Sequence, residues 1–230
     1  HDNILCYVKD GYKPKEAVFK MPLTKDRESA FINPDNDPRG AWASVDMTGM
    51  IGRATKDQFF KIKLPSGRVI EPPKGRSWGL AEKTFIELRA DNRIWFGKEG
   101  DNVPRIKNFL SESEGQVVPS YWDMKEVGSN DDASKEVSKL FGSPKIFDTP
   151  KPVSLLKRMI TIASKPSNQD IILDFFAGSS TTAHAVMQQN TEDGGSRRFI
   201  MVQLPEACDE KSEAFKAGYP TIAEISKERI

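Results

Sequence analysis

Apolar and polar positions follow two textures along this chain, with the change near residue 150. Before it, apolar runs are short and heavily punctuated. Ile4-Leu5-Cys6-Tyr7-Val8 is an apolar run closed by Asp10-Gly11, which predicts a buried strand followed by a turn. INPDNDPRGAW (32–42) crowds prolines, asparagines, aspartates and a glycine together, so extended backbone and turns are expected within an irregular stretch over 14–50. DQFFKIKLPSGRVIEPP (57–73) predicts a hairpin with strands on either side of Pro65-Ser66-Gly67. AEKTFIELRADNRIWFG (81–97) predicts a short helix over Phe85 and Leu88, then a strand at Ile94-Trp95-Phe96. Residues 111–145 are polar and weakly patterned, with SESEG and GSNDDAS read as loops.

From 150 the periods lengthen. Val153, Leu156, Met159, Ile160 and Ala163 form one helical stripe, with Pro152 suited to a helix start. The strand IILDFF follows, then a Gly/Ser turn, the helix STTAHAVMQQN, a break at Gly194-Gly195 and the strand RFIMVQL. A helix ahead of one βαβ unit implies a parallel, doubly wound α/β sheet with right-handed crossovers. The polar stretch from Lys211 to Ile230 reads as further helix.

Composition narrows the class. With 230 residues, 37% apolar and 29% charged, the chain suits one large or two small polar-surfaced domains. No run of about 18 apolar residues occurs, so no membrane-spanning helix is expected. The opening HDNILCYVKD lacks the basic flank and long apolar stretch of a signal peptide. Cys6 and Cys208 give neither a disulfide framework nor a metal spacing, and are expected as reduced thiols of a cytoplasmic protein. The net charge of +1 decides nothing, but Arg53 to Arg76 holds seven bases against two acids. Arg53, Lys61, Lys63, Arg68, Lys74 and Arg76 could track phosphates; a solvated strand face accounts for the same residues.

The Gly/Ser turn carries the chemistry. In open α/β sheets, ligands bind beyond the carboxyl ends of strands. Ala177, Gly178, Ser179 and Ser180 are small enough for a ligand to approach the backbone, and the helix starting near Thr181 aims free N–H groups there. A dinucleotide site wants three glycines, and this turn has one. The spacing Asp174-x-Phe176-x-Gly178-x-Ser180 instead suits a cofactor with a charged amino-acid end and no phosphates, such as S-adenosylmethionine. The competing reading makes Phe175 and Phe176 core and Ser179 and Thr182 helix caps.

DFFAGSSTTAHAV (174–186), FDTPKPVSLLKRMI (147–160) and RRFIMVQLPE (197–206) together resemble the β-class amino DNA methyltransferases. Within that class the chain looks most like the modification (Mod) subunit of type III restriction–modification systems, which are adenine-N6 methyltransferases. NPDNDPRGAW, PPKGRSW (72–78), DNRIWFGKEGDNVPRIKNFL (91–110) and HDNILCYVKD extend the likeness over nearly the whole chain, in order. The resemblance implies a partial Rossmann-like methyltransferase sheet with an inserted mixed α/β DNA-recognition region. Residues 1–13 would end the catalytic core, 14–140 would form the insertion, and 141–230 would form the cofactor half. It implies S-adenosylmethionine as cofactor, double-stranded DNA as substrate, a restriction subunit and a second modification subunit as further partners, and no membrane.

Residue by residue, the resemblance makes Asp174, Phe175, Phe176, Ala177, Gly178, Ser179, Ser180 and Thr181 the cofactor turn. Thr149, Lys151 and Pro152 match the segment that packs on the cofactor. Gln203, with Glu206 three residues on, stands where an acid usually holds the ribose. Arg39 and Trp42 are implied to line the base or cofactor pocket. Ser180 replaces the family's usual glycine, which sets a side chain in or beside the pocket and costs about 1 kcal/mol if φ is positive there. The family's catalytic Asp-Pro-Pro-Tyr tetrad occurs nowhere here and is expected upstream of His1; Glu71-Pro72-Pro73-Lys74 lacks the aromatic. Without that tetrad the chain alone is expected not to turn over, because it orients the adenine amine and stacks the flipped base.

Other residues keep two readings. Arg76 and Trp78 could contact phosphate and stack a base, or anchor a turn. Trp95 reads as strand core, with Lys98 and Arg105 as phosphate contacts. His184 has no metal partner in the sequence and reads as a packed residue. Two rival functions remain: a non-catalytic DNA-binding remnant of such a subunit, and a nucleotide-binding α/β enzyme unrelated to DNA.

Overall fold

The computed structural model describes residues 3–9 and 19–230. It is a mixed α/β chain with small sheets, divided into two compact units. One spans Pro22–Gly115, here the inserted unit; the other, the C-terminal unit, spans Gln116–Ile230 together with the described residues before Pro22. The units divide at Pro22 and Gly115, where 14 and 140 were expected, because residues 116–140 pack within the C-terminal unit. Met21 and Gln116 exchange backbone hydrogen bonds of 2.9 and 2.8 Å, so the chain leaves and re-enters that unit at adjacent points. Such closure lets an insertion fold on its own core.

The inserted unit begins with α1 (Lys25–Glu28). Strand β1 (Trp42–Asp46) is followed by β2 (Thr48–Met50), β3 (Ile62–Lys63), β4 (Val69–Ile70), β5 (Arg76–Trp78), helix α2 (Glu82–Ala90), β6 (Ile94–Trp95) and β7 (Arg105–Phe109). The strands form a three-stranded antiparallel sheet, β1-β7-β6, and two ribbons, β2-β5 and β3-β4. The expected hairpin is β3-β4, turning through Gly67 at φ 91°. Alternation drives the core: Ile62 and Leu64 from one ribbon, Trp78 from another and Ile94 with Phe96 pack with Met47, Phe60 and Phe85.

A buried ion cluster backs the three-stranded sheet. Lys107 of β7 is 1% exposed; its Nζ donates to Asp37 at 3.0 Å and to Asp35. The turn NPDNDPRG presents both carboxylates by folding back on itself, with Asn33 and Asp37 exchanging hydrogen bonds of 2.7 and 2.9 Å. Arg39 clasps Asp37 through Nε and Nη2, both at 2.9 Å, and lies 4.4 Å above the Phe109 ring. Those Arg39 bonds, with help from Lys107, hold the Asp37 carboxyl well below the usual carboxylate range. Burial pushes Asp35 up, but bonds from Lys107 and Trp42 more than offset it.

The C-terminal unit carries helices α3 (Met124–Val127), α4 (Asn130–Phe141) and α5 (Val153–Ala163), strand β8 (Ile171–Asp174), α6 (Thr181–Asp193), β9 (Arg198–Met201), α7 (Glu213–Lys216) and α8 (Ile222–Glu228). Strands β8 and β9 pair in parallel across α6, as the βαβ pattern predicts. Ile172 and Phe199 pack inward against Val153, Ile160, Ala185 and Val186 of α5 and α6. On the opposite face Ile171, Leu173 and Ile200 stand about half exposed. Among the described residues no helix is long and apolar enough to cross a membrane.

Two expectations fail. GSNDDAS is not a loop: Ser129 and Asp132 form a reciprocal capping box that starts α4, and Gly142 at φ 67° ends it. Its apolar stripe, Ala133, Val137 and Phe141, is thin enough to vanish among polar neighbours. Residues 3–9 form no strand and are exposed, since no described segment pairs with them and a strand needs a partner ladder. The turn expected at Asp10-Gly11 lies outside the described residues.

Replacing Lys107 by Met removes the cation that Asp35 and Asp37 share, leaving Trp42 on the one and Arg39 on the other, and should cost about 3 kcal/mol in urea unfolding. The depressed Asp37 carboxyl adds stability that is fully present above its unfolded-state pKa near 4 and lost as pH falls further. Acid titration of the wild type should therefore show stability declining from about pH 4 downward.

Candidate cofactor site

The Gly/Ser turn sits at the carboxyl ends of both parallel strands. Val202 N donates to Asp174 O at 2.8 Å and Ala177 N to Val202 O at 3.1 Å, so the turn caps the end of the β8–β9 pair. Asp174 closes it from both sides: Oδ1 accepts from Phe176 N at 3.0 Å and Oδ2 from Thr182 Oγ1 at 2.6 Å. Gly178 N donates to Gln203 Oε1 at 2.7 Å, which ties the turn to the segment after β9. Gly178 (φ 54°) and Ser180 (φ 56°) both take left-handed backbone, the sharp reversal that delivers the chain into α6.

Gly178 has a steric reason to be small. A Cβ on Gly178 would lie 3.1 Å from Phe147 Cζ, so the ring closes over the turn. Ser180 was expected beside the pocket; instead it is 0% exposed and its hydroxyl bonds to the Ser226 hydroxyl of α8. Phe175 and Phe176 are not core: they stand 63% and 89% exposed. Thr182 bonds to Asp174 and Ser179 to Arg229, so neither hydroxyl serves as an N-cap, and the Ser180 N-cap itself makes no side-chain capping bond.

The remaining candidates divide. Gln203 belongs to the turn's hydrogen-bonded set, with Nε2 donating to Leu204 O at 3.2 Å. Pro152 is buried where α5 starts and packs over Gly128, whose added Cβ would meet it at 2.8 Å. Thr149, Lys151 and Glu206 are exposed. From the same upstream segment it is Phe147, not singled out from the sequence, that touches the turn. Sequence reasoning also missed Ser226 and Arg229. Their signal was the spacing of Ile222, Ile225, Ser226 and Arg229 on one helical face.

In the inserted unit, two nucleic-acid candidates are structural. Trp78 is 0% exposed, with Nε1 donating to Phe60 O at 2.8 Å, so it cannot stack a base. Arg39 is committed to Asp37 and, at 3.0 Å, to Asp91, which removes it from any pocket lining by its charge. Arg68 pairs with Asp101 at 2.9 Å, Lys61 with Glu71 at 3.2 Å, Arg76 with Asp46 at 3.4 Å, and Arg105 donates to Ser44 Oγ at 2.9 Å. Arg53, Lys63, Lys74 and Lys98 are exposed. Trp42, Trp95, Lys98 and Asn102 border an open cavity of about 340 Å³ within this unit.

The site therefore combines an anion with acceptor positions to spare, an exposed aromatic pair and the N-terminal turn of a 13-residue helix. Those features fit a cofactor with an ammonium and a flat heterocycle. The chain matches the DNA methylase family model over residues 1–214, and it belongs to that family. It is 41% identical over 229 residues, 99% of its length, to the StyLTI Mod subunit of a type III restriction–modification enzyme from Salmonella typhimurium. It is 36% identical over 155 residues, 67% of its length, to the type II methyltransferase M.KpnI of Klebsiella pneumoniae. The chain spans 33% and 35% of those relatives' lengths. The solved PvuII DNA methyltransferase (cytosine-N4-specific) matches 63% of this chain and 51% of that chain at 21% identity and a TM-score of 0.29, too low to establish a shared fold.

Gly178→Ala combines a left-handed strain with a collision against Phe147, and should destabilise the chain by at least about 1 kcal/mol in thermal unfolding. Adding Phe147→Leu should recover part of that loss but not all, since the backbone strain stays.

Proposed function

We propose that the chain holds the cofactor and contacts the DNA in an adenine-N6 DNA methyltransferase, as the modification subunit of a type III-like restriction–modification system. S-adenosylmethionine would supply the methyl group, carried on its sulfonium. The observation that carries the reading is Asp174, whose carboxylate spans the turn while remaining partly exposed. Its free lone pairs would accept from the cofactor's ammonium, and Phe176, which projects into solvent, offers a face for the heterocycle. Gln203, already holding Gly178, fixes the turn's distance from the second strand. The 41% identity to a type III Mod subunit over 99% of this chain supports the system assignment.

The rest of the proposal concerns the partners. The β8–β9 pair is read as part of a Rossmann-like sheet; its half-exposed apolar face is what a parallel sheet normally buries under a second layer. The inserted unit is read as the target-recognition region, acting on double-stranded DNA in the cytoplasm beside a second modification subunit and a restriction subunit. The Asp-Pro-Pro-Tyr tetrad that orients the amine occurs nowhere in these residues, so the roles proposed here are cofactor holding and DNA contact. The Ser180 hydroxyl is buried against Ser226, so this side chain does not occupy the open side of the turn.

Calorimetric titration with S-adenosylmethionine should give saturable binding, weakened more than about tenfold by Asp174→Ala. Equal binding by the variant would contradict the role of Asp174. For DNA, Arg53→Gln and Lys74→Gln should each weaken duplex binding across sequences. Each should also reduce the slope of log affinity against log salt by about 1. An unchanged slope would remove those residues from the phosphate contacts.

A further inference from the structure

The turn is held from behind by the last helix. Ile225 buries itself with Val137, Ile146 and Ala214, which fixes α8 in the C-terminal unit. That anchoring brings the Ser226 hydroxyl onto the Ser180 hydroxyl, both residues being buried. Arg229 follows α8, and its Nη1 donates to Ser179 Oγ at 2.9 Å and to Thr181 Oγ1 at 2.8 Å. Its Nε donates to His184 Nδ1, one turn further along α6, at 3.4 Å. Ser179, Ser180 and Thr181 are thus each gripped by a side chain from α8 or its C-cap.

The grip is costly, which argues that it does more than anchor a helix. Ser180 at φ 56° takes a conformation that disfavours a side chain by roughly 1–2 kcal/mol. Arg229 is 6% exposed, and its Nη2 finds no acceptor among the described residues. An unsatisfied buried donor costs on the order of 1–3 kcal/mol, and apolar side chains could secure α8 without it. The planar guanidinium, however, reaches Ser179 and Thr181 through Nη1 and His184 through Nε, three partners around Ser180 held in one fixed geometry that a lysine's single ammonium does not reproduce.

We propose that Ser226 and Arg229 are positioning residues: through them α8 holds Ser179–Thr181 in the left-handed turn that the cofactor site requires, and so sets cofactor affinity. The effect on affinity rests on the cofactor reading above; the clamping of the turn rests on the hydrogen bonds alone.

Amide hydrogen exchange on the full chain without cofactor tests the clamp, comparing wild type with Ser226→Ala and Arg229→Lys. Exchange at Gly178 and Ser180, whose amides bond to Gln203 and Ala177, should quicken about tenfold in both variants, with β8 and β9 amides unchanged. Unchanged exchange at the turn overturns the proposal. A uniform rise over the whole C-terminal unit in both variants also overturns it, by making α8 a general fold anchor. In titrations with S-adenosylmethionine, Ser226→Ala should lose about tenfold in affinity, and adding Ser180→Gly should restore it. Glycine takes the left-handed turn unaided and leaves no orphaned hydroxyl, so failure of this rescue refutes the positioning role. A wild type that binds nothing, with the exchange contrast intact, faults the cofactor reading and leaves the clamp standing.

Discussion

The C-terminal unit depends on a carboxylate that bonds to both sides of one turn. Asp174 ends β8, and its two oxygens hold the amide of Phe176 and the hydroxyl of Thr182. Within the six residues between β8 and α6 the chain reverses direction and delivers a helix onto the sheet, and this bridge joins the two ends of that reversal. Within the bridged turn Gly178 and Ser180 take left-handed backbone, and Phe175 and Phe176 stand outward. Local geometry that looks like sheet-to-helix architecture is therefore also what leaves an anion and an aromatic pair available to a ligand. Of the two readings of the turn, the one that makes Phe175 and Phe176 core and Ser179 and Thr182 helix caps does not hold.

Such a turn needs support, and it comes from three directions. Gln203 holds it from the second strand, Phe147 closes over Gly178 from upstream, and α8 reaches it from the end of the chain. The inserted unit solves a different problem. Its small ribbons bury few residues each, and the Lys107–Asp35–Asp37–Arg39 cluster ties the irregular NPDNDPRG segment to the sheet. A buried ion cluster of this kind adds little net stability, whereas loss of one of its members is costly.

The legible parts of the sequence were those ruled by local chemistry. The stripe from Val153 to Ala163, the turn after Asp174 and the Pro65-Ser66-Gly67 hairpin all follow from period and turn residues alone. Helix α4 escaped because its first residues, Ser129-Asn130-Asp131-Asp132, also suit a turn, and only Ala133 and Val137 of its length are buried. Residues 3–9 misled because apolar content predicts burial only when a partner strand exists. Trp78 and Arg39 misled because aromatic and basic residues suit a core ribbon and a buried ion pair as well as a nucleic acid. Lys107, seventy residues from its acids, and Arg229, fifty from Ser179, depend on tertiary contact that no local pattern carries.

The turn between β8 and α6, proposed as a cofactor cradle, is open to a direct measurement. Amide proton–nitrogen spectra recorded while S-adenosylhomocysteine is added probe it at residue resolution. Shifts should concentrate on Asp174–Ala183 and Val202–Leu204, with the inserted unit's amides unmoved. A titration that leaves those amides in place, or moves only residues elsewhere, would contradict it.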